Sequence, residues 1–599
     1  MRARAFLTAA ALLAVAAGLP ALAQQQQQQA PPTASAPAVQ PTVTPVATST
    51  PTPTTSQPRP VRRAAPRPDP GAETDLLEVA DVELPLPPPP VEIPDEARRD
   101  PSLAGALDPL AQGLGTSPWG DSNGAFLSTL MRRTEAPIAS RWAHIGLRNA
   151  LLARVQAPRN VNPVDWTAER AWLLLRMGEA DAARMLVASV DVDRFTPKMF
   201  QVAVQSALAS ADPPALCPLF EGIPRVEERV WPMVQAMCAS LTGEPESASA
   251  QVEAIRRRRR VSDIDLVLAQ KVVGAGAEAG RAATVEWDPV DRLNSWRFGL
   301  ATATGMVPPD RLLSGAAPRL RAWHARAPLL TPQQRLQSAR IATGLGVFSG
   351  QSLTDLYALI YDGTDREEVA ETDAGQLRLA FIGRGRDVRL AAIRKLLAIG
   401  DGPLQEEASR ALVARAATRI APDIAIQQDA PDLIAAMLSG GYDREAARWA
   451  DVTGDMDDQY GDRAWAMLVL GVADPGGLDL SAGRIEDFIE RDSSRGKRRS
   501  SLLVAGLAGL GRIDGDTADR LNRRNGLSLA HRTRWTAVID RAAVLRQPAS
   551  VLVLTATGFQ TPDVRSLPSS HMYHAVAALR RTGQEYIARM VAAEALART

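Results

Sequence analysis

Two of the five histidines stand three residues apart, in the segment SSHMYHAVAAL. On a helix this spacing would place His571 and His574 on one face, where two imidazoles could bind the same metal ion. Zinc needs three or four protein ligands, however, and no third His, Cys or carboxylate stands at a recognisable spacing from the pair. We therefore predict no metal site, and we expect the two side chains to serve at a helix start or in partner contacts.

Other segments resemble catalytic or ion-binding motifs but lack the residues that the chemistry requires. GVFSG (346–350) does not have the G-x-S-x-G order of a nucleophile elbow, and no strand precedes it. DREEVAETD (365–373) could imitate an acid/base pair. DMDDQYGD (455–462) could imitate a calcium loop but lacks the D-x-D-x-D-G register and the final glutamate. We expect solvated loops at both, and we predict no catalytic residue and no cofactor.

The segment IRRRRRVSD (255–263) raises the question of nucleic-acid binding. The helix that opens after Gly243 would reach Arg256 in its last turns, and Ser262 with Asp265 would cap the next helix. Consecutive helical residues point in all directions, so five arginines do not form one reading face, whereas cations at a helix end are stabilised by its carbonyls. The 68 basic and 67 acidic residues also nearly cancel. We predict a solvated helix end and no nucleic-acid partner; the alternative is contact with an acidic protein, a lipid A phosphate or another envelope anion.

The N-terminus indicates the compartment. MRARAFLTAAALLAVAAGLPALAQ places two arginines before an apolar run that ends in Ala21-Leu22-Ala23. This pattern predicts a signal peptide (1–23) that is cleaved after Ala23, with a periplasmic mature protein. An uncleaved anchor is the alternative, but a spanning helix needs roughly 20 apolar residues and Pro20 interrupts the run.

Export would place the two cysteines in an oxidising compartment. Cys217 and Cys238 are separated by 21 positions, and two cysteines in an oxidising compartment usually pair. A redox-active pair would have the C-x-x-C spacing that lowers a thiol pKa. We therefore predict a structural disulfide that clamps two neighbouring helical stretches across a short loop containing Pro224. On the chain-entropy model such a loop contributes about 3 kcal/mol to stability.

Residues 24–115 are predicted to form a disordered tether. The segment opens with Gln24–Gln29 and continues in Pro, Thr, Ala and Ser, with too little apolar surface to offset the entropy of ordering. Its acidic, more apolar piece DLLEVADVELPLPPPPVEIPDE could instead dock on a partner through a short linear motif that includes Leu76, Leu77, Val79, Val82 and Leu84. The spacer interpretation is favoured.

Residues 116–599 are predicted to be α-helical, because residues that start and end helices recur along them. We predict a sub-boundary near 281–335. A capping residue precedes proline at helix starts, and Ser or Thr followed by Glu or Gln three residues later predicts a capping box. The segment SVLVLTATGF (550–559) is ambiguous with a strand, and we interpret it as helix by context. The predicted starts are Asn162-Pro163, Thr196-Pro197, Asp288-Pro289, Thr331-Pro332 and Thr561-Pro562, and the predicted capping boxes are Thr331 with Gln334 and Thr364 with Glu367.

The helices also show a pairing signal. Four times a glycine ends one helix and an alanine five residues later stands in the next one, in LLRMGEADAARML, CASLTGEPESASA, MLSGGYDREAARWA and LRRTGQEYIARMV. Glycine allows the left-handed turn and alanine lets antiparallel helices approach closely. The spacing resembles that of the tetratricopeptide-repeat (TPR) superfamily, although the W-x-x-L-G-x-x-Y pattern of its first helix is missing. The pairs concerned are Gly178 with Ala183, Gly243 with Ala248, Gly441 with Ala446 and Gly583 with Ala588.

The resemblance implies stacked helix pairs that form an α-solenoid and bind another chain, while a generic helical array without a peptide groove is the alternative. We predict an all-α protein that acts as a periplasmic, non-catalytic scaffold or adaptor with protein partners in the cell envelope. The other functions considered are a peptidoglycan or glycan hydrolase with a helical binding domain, and a lipid or small-ligand carrier. Tryptophans should lie mostly in the core, although some could line a groove: Trp142, Trp166, Trp172, Trp231, Trp287, Trp296, Trp323, Trp449, Trp465 and Trp535.

Overall fold

The structure is a computed structural model that describes residues 94–220, 230–258, 263–276, 284–561 and 563–599. The predicted signal peptide, the predicted tether up to residue 93, Pro224, Ser262 and Pro562 lie outside these residues. The described chain is all-α, with two isolated β-bridges and no strand. Among its helices none is long and apolar enough to cross a bilayer.

The first helices build the N-terminal part of the fold and most of a second core. They are α1 (Gly124–Arg133), α2 (Arg141–Leu152), α3 (Pro163–Met177), α4 (Ala180–Val187), α5 (Pro197–Ala209), α6 (Trp231–Leu241), α7 (Pro245–Arg258) and α8 (Asp263–Gly276).

The middle of the chain alternates longer helices with single turns. Its helices are α9 (Ser295–Ala303), α10 (Asp310–Ser314), α11 (Pro318–Ala325), α12 (Pro332–Leu345), α13 (Gly350–Asp362), α14 (Asp373–Ile382), α15 (Arg386–Leu397), α16 (Pro403–Ala417), α17 (Ala430–Ser439), α18 (Asp443–Ala447) and α19 (Ala450–Thr453).

The C-terminal helices return to the beginning of the folded chain. They are α20 (Asp458–Gly471), α21 (Ala482–Arg491), α22 (Arg498–Leu510), α23 (Gly515–Asn525), α24 (Arg534–Val544), α25 (Pro548–Gly558), α26 (Ser569–Arg581) and α27 (Glu585–Ala597). Helix α25 confirms the helical interpretation of residues 550–559, whose side chains are mostly buried.

The four predicted glycine turns are present. Gly178 (φ 93°) ends α3 and Gly441 (φ 82°) precedes α18, and in both the following amide closes the turn on a carbonyl five residues back. A side chain would also collide there, since a Cβ on Gly441 would lie 2.5 Å from the Tyr586 hydroxyl oxygen. The same turn recurs before α7 and α27, and all four alanines are buried in the helices that follow. The predicted helix pairs are therefore confirmed as hairpins.

Three predicted helix starts are confirmed by their caps. Asn162, Thr196 and Thr331 each accept hydrogen bonds from amides of the first turn. At Thr331 the capping box is complete, because the Gln334 side chain accepts from the Thr331 amide at 2.9 Å.

Two other predictions of helix starts are wrong. Asp288-Pro289 forms a turn, and the next helix begins at Ser295, capped by Asn294. The Thr364 hydroxyl donates 2.7 Å back to the Ile360 carbonyl at the end of α13, so it caps no new helix. At both positions the residue types of a helix start are present but no helix begins, because turns use the same Asp, Thr and Pro residues as helix caps.

The folded region begins earlier than residue 116. Ala104 and Leu114 are buried, and the buried Arg170 of α3 donates to the carbonyls of Ala104 at 3.0 Å and of Ala153 at 2.8 Å. Burial lowers the pKa of Arg170 to about 9. Part of the predicted tether, from about Ala104 to Leu114, therefore packs into the fold, because the Ala104 carbonyl, which composition does not reveal, satisfies a buried arginine.

Apolar side chains form two clusters. The larger core runs through most of the described helices, whereas a second core gathers the inner faces of α5 to α9. Helix α5 contributes to both, with Met199 and Val202 in the larger core and Ala203 and Val204 in the second. The second core ends near Ala301.

Helix α2 lies where distant parts of the chain meet. It packs against α3 and α12, and also against α25 and α27 near the C-terminus. Gly146 permits this approach, since a Cβ there would lie 2.8 Å from a methyl of Leu552 and 3.3 Å from Ile587. The packing therefore joins the two ends of the folded region.

Candidate functional site

An open groove of about 860 Å³ lies beside α5. Its walls come from the segment before α1, the end of α4, the turn from α4 to α5, α5 itself and the 3-10 helix Pro213–Leu219. Val187 and Phe195 contact both apolar clusters, so the groove lies where the two cores meet. The lining residues are Arg98, Arg99, Arg184, Val187, Ala188, Val190, Asp191, Val192, Asp193, Phe195, Ala203, Ser206, Ala207, Ala215, Pro218 and Leu219.

Small residues on α5 create this space. Ala203 and Ala207 are one helical turn apart and face the groove together with Ser206. Opposite them the chain leaves α4 at Val187 and runs through a 3-10 turn to Thr196, which caps α5. The α5 wall consists of small residues and faces valines and a phenylalanine. These side chains do not fill the space between the walls, so the groove has an apolar floor.

Ion pairs form the rim. Arg98 lies 2.8 Å from Asp193, and Arg99 lies 3.5 Å from Asp191, which also accepts from the Arg99 amide at 2.9 Å. Arg184 pairs with Asp212. Asp193 raises the pKa of Arg98, so that guanidinium stays charged. The rim thus balances arginines with aspartates around an apolar floor.

The cysteine pair supports one wall. Cys217 and Cys238 lie at disulfide-bonding distance, with Cα atoms 5.7 Å apart, as predicted. The bond joins the 3-10 helix Pro213–Leu219 to α6. Ala215, Pro218 and Leu219 of this 3-10 helix line the groove, so the crosslink positions the wall as well as the second core.

Among the described residues, no group of three or more His, Cys, Asp or Glu side chains is arranged to hold a metal ion. His571 Nδ1 lies 2.9 Å from the Gly558 carbonyl, and its ring packs on Trp535 with centroids 4.4 Å apart. His574 Nδ1 lies 2.9 Å from an oxygen of Asp540. His571 lies in the first turn of α26, as predicted, and both side chains make contacts inside the chain. The partner-contact role stays a prediction.

The acidic segments behave differently from each other. DREEVAETD is exposed except at Val369 and at the half-buried Thr372, as predicted. In DMDDQYGD the last carboxylate is buried, because Asp462 lies 2.7 Å from Arg484 and 2.8 Å from Arg491. The prediction of a solvated loop is therefore wrong for Asp462, whose partners come from a helix more than twenty residues away.

A second, more polar cleft of about 670 Å³ adjoins Asp462. Trp465 stands in its wall, but the tryptophan is buried and Arg484 covers its ring at 4.1 Å. Hydrogen bonds to Ser481 lower the pKa of the Asp479 carboxyl in the same cleft. This shift favours a permanent anion, whereas a general acid at neutral pH needs a raised pKa.

The remaining candidates from the sequence lie mostly at helix ends or in the core. In GVFSG, Gly346 ends α12 and Ser349 caps α13. Arg256, Arg257 and Arg258 form the exposed last turn of α7, which confirms the helix-end prediction for these three, while Arg259, Arg260 and Ser262 lie outside the described residues. Most of the tryptophans are core residues as predicted, and the buried ones are Trp119, Trp142, Trp166, Trp296, Trp323, Trp449 and Trp465.

Sequence reasoning missed the groove. Arg98 and Arg99 lie 95 and 92 positions from the aspartates that they contact and follow no motif, and the apolar residues of the groove are ordinary helix and turn residues. The only available signal was Cys217, whose crosslink supports one wall. No protein-family model, no curated protein and no solved structure matches this chain.

Proposed function

We propose that the protein is a periplasmic scaffold or adaptor that binds an envelope protein partner, with its signal peptide removed after Ala23. The observation that carries this proposal is the open apolar groove beside α5, bordered by paired charges. An apolar side chain that leaves water for such a site contributes about 1.5–3 kcal/mol, so two or three anchors suffice for specific binding.

The shape of the groove favours a protein segment. Val192 on one wall is 40% exposed, which leaves apolar surface without a partner inside the described chain. Arg99 and Arg184 border this surface and retain exposed guanidinium groups. Apolar anchors surrounded by a polar rim are typical of protein interfaces, where the rim excludes water and the centre supplies affinity.

The architecture is proposed to be a TPR-like helix-hairpin array that closes on its own first helices. The recurrence of the same glycine turn with a buried alanine in four hairpins supports this interpretation. The contacts of α2 with α25 and α27 support closure, which a solenoid with only nearest-neighbour contacts would not have.

Site-specific photo-crosslinking in cells tests the proposal. A photoreactive amino acid replaces Val192 in the full chain, and the matched control replaces Met185, a 49%-exposed residue of α4 outside the groove. We expect adducts with a defined envelope protein from position 192 and not from position 185. The same weak adducts from both positions would reject the groove as a partner site.

The groove also suits a second candidate, a carrier of an apolar small ligand. Its volume lies within the roughly 300–1,000 Å³ typical of small-molecule sites. Mass spectrometry of the native protein from periplasmic extracts distinguishes the two functions. A bound lipid or metabolite that is lost when Val192 is replaced by glutamate would favour the carrier, and protein adducts without a ligand would favour the adaptor.

A further inference from the structure

Helix α24 leaves one apolar face without a partner in the described chain. It packs on α25 and α26 through its other face, where Thr536, Ile539, Ala542 and Ala543 are buried. On the outer face Val538 is 37%, Val544 73% and Leu545 51% exposed. Val544 is more exposed than any other large apolar side chain of the described residues.

The exposed residues follow one helical stripe. Val538, Arg541 and Val544 are three residues apart, and Leu545 lies two turns after Val538. Ala537 lies beside Val538 and is also exposed. We call Ala537, Val538, Arg541, Val544 and Leu545 the α24 stripe. Its spacing matches the ridge that one helix offers to the groove of another.

The charge of the α24 stripe is positive and unbalanced. Arg534 begins the helix, Arg541 lies in the middle of the stripe and Arg546 follows its end. Within the described chain no carboxylate forms an ion pair with any of the three. Asp540, the acidic residue of the helix, contacts His574.

We infer that the α24 stripe docks an acidic amphipathic helix of a partner protein. The partner would place aliphatic side chains on Val538, Val544 and Leu545 and a carboxylate opposite Arg541. This surface shares no residue with the groove beside α5 and does not depend on it. A protein with two separate docking sites could hold two partners together.

Two other occupants fit the surface less well. Antiparallel pairing with a second copy about the middle of the stripe would bring Arg541 against Arg541 of that copy, and like charges in contact destabilise an interface. A membrane surface would favour exposed tryptophan or phenylalanine beside the basic residues, whereas the stripe carries alanine, valine and leucine.

Photo-crosslinking from position 537, an exposed alanine of the α24 stripe whose replacement leaves Arg541 in place, identifies the occupant in the full chain. Leu359 on α13, which is 54% exposed, serves as the matched control position. The proposal expects an adduct specific to position 537 whose crosslinked peptide has net negative charge and aliphatic residues at helical spacing. An adduct with a second copy, an adduct with lipid alone, or no adduct beyond that of the control would overturn it.

A charge exchange then tests the contact itself. A synthetic peptide of the crosslinked sequence should bind the full chain, and Arg541→Glu should weaken binding about tenfold or more. A peptide with lysine in place of its contacting carboxylate should recover affinity for Arg541→Glu and lose it for the unaltered protein. Equal binding in all four combinations would overturn the proposal. The proposal would also be overturned if no protein adduct forms and the unaltered protein, but not Arg541→Glu, binds phosphatidylglycerol vesicles.

Discussion

The Ser140 hydroxyl donates a 2.6 Å hydrogen bond to the Glu594 carboxylate across 454 positions of the chain. The other carboxylate oxygen accepts from the Arg141 amide at 2.9 Å and from Arg598 at 2.9 Å. All four residues are buried. A carboxylate of α27 therefore caps the N-terminus of α2, where the helix dipole also favours an anion.

This cap should be essential for stability. Replacing Glu594 with alanine leaves Ser140, the first amides of α2 and Arg598 without their buried acceptor. We expect a loss of about 3–5 kcal/mol in the free energy of unfolding, the range for breaking a buried ion pair. Urea denaturation measures the change. Glu585→Ala, at an exposed position of the same helix, is the control, and equal stability of the two variants would contradict the prediction.

The disulfide should stabilise the second core and the groove wall. The double variant Cys217→Ser, Cys238→Ser should lose about 3 kcal/mol, the contribution expected for a loop of this length. Hydrogen exchange should accelerate in Pro213–Leu219 and α6, and should change less in α25 and α27, which belong to the larger core. An unchanged exchange pattern in α6 would contradict this role.

Burial of His324 should make stability depend on pH. Desolvation, helped by Arg321 and Arg335, lowers the pKa of His324 to about 4 from its usual value near 6.5. Below pH 6.5 the unfolded chain binds a proton that the folded chain does not. The free energy of unfolding should therefore fall by about 1.4 kcal/mol per pH unit until the pH passes the folded pKa.

Paired unfolding measurements check this pH dependence. Replacing His324 with asparagine should remove that part of the slope between pH 6.5 and 4, whatever its effect at pH 7. His531→Asn, at an exposed position, should retain the slope. Identical slopes in the unaltered protein and His324→Asn would show that another group titrates.

The hairpin glycines should tolerate no side chain. Gly441→Ala combines a left-handed backbone with a Cβ only 2.5 Å from the Tyr586 hydroxyl oxygen and 3.2 Å from Trp142. The conformation alone costs about 1–2 kcal/mol in a non-glycine residue, and the steric overlap adds to it. Gly454→Ala is the matched control, since its backbone is right-handed and no atom lies within 4 Å of the new Cβ. A thermal melt in which both variants match the unaltered protein would reject the turn as a stability determinant.

A charge in the groove should abolish partner binding without unfolding the chain. Val192→Glu places a carboxylate on the apolar wall, where its desolvation opposes binding of an apolar segment. Met185→Glu adds the same charge outside the groove. We expect crosslinked partner yield to fall only for Val192→Glu while both variants keep the melting temperature within a few degrees. Equal yields would exclude the groove as the binding surface.

The local elements were largely predictable from sequence because their signals are local. Caps such as Asn162 and Thr331 satisfy amides within the next three residues, and the turn at Gly178 needs only a residue that accepts a positive φ. The same locality explains the errors. Asp288-Pro289 and Thr364 have the residue types of a helix start, but a turn satisfies them equally well.

The sequence by itself determined an all-α chain with helix hairpins and one paired cysteine bridge, since each depends on residue type and short spacing. Only the tertiary structure decided where Glu594, Asp462 and Arg170 find their partners, and where the groove and the α24 stripe lie. A buried charge is satisfied by any donor or acceptor that packing brings near, and a groove is space that packing leaves empty. Neither leaves a pattern along the chain, because both are set by contacts between elements tens to hundreds of residues apart.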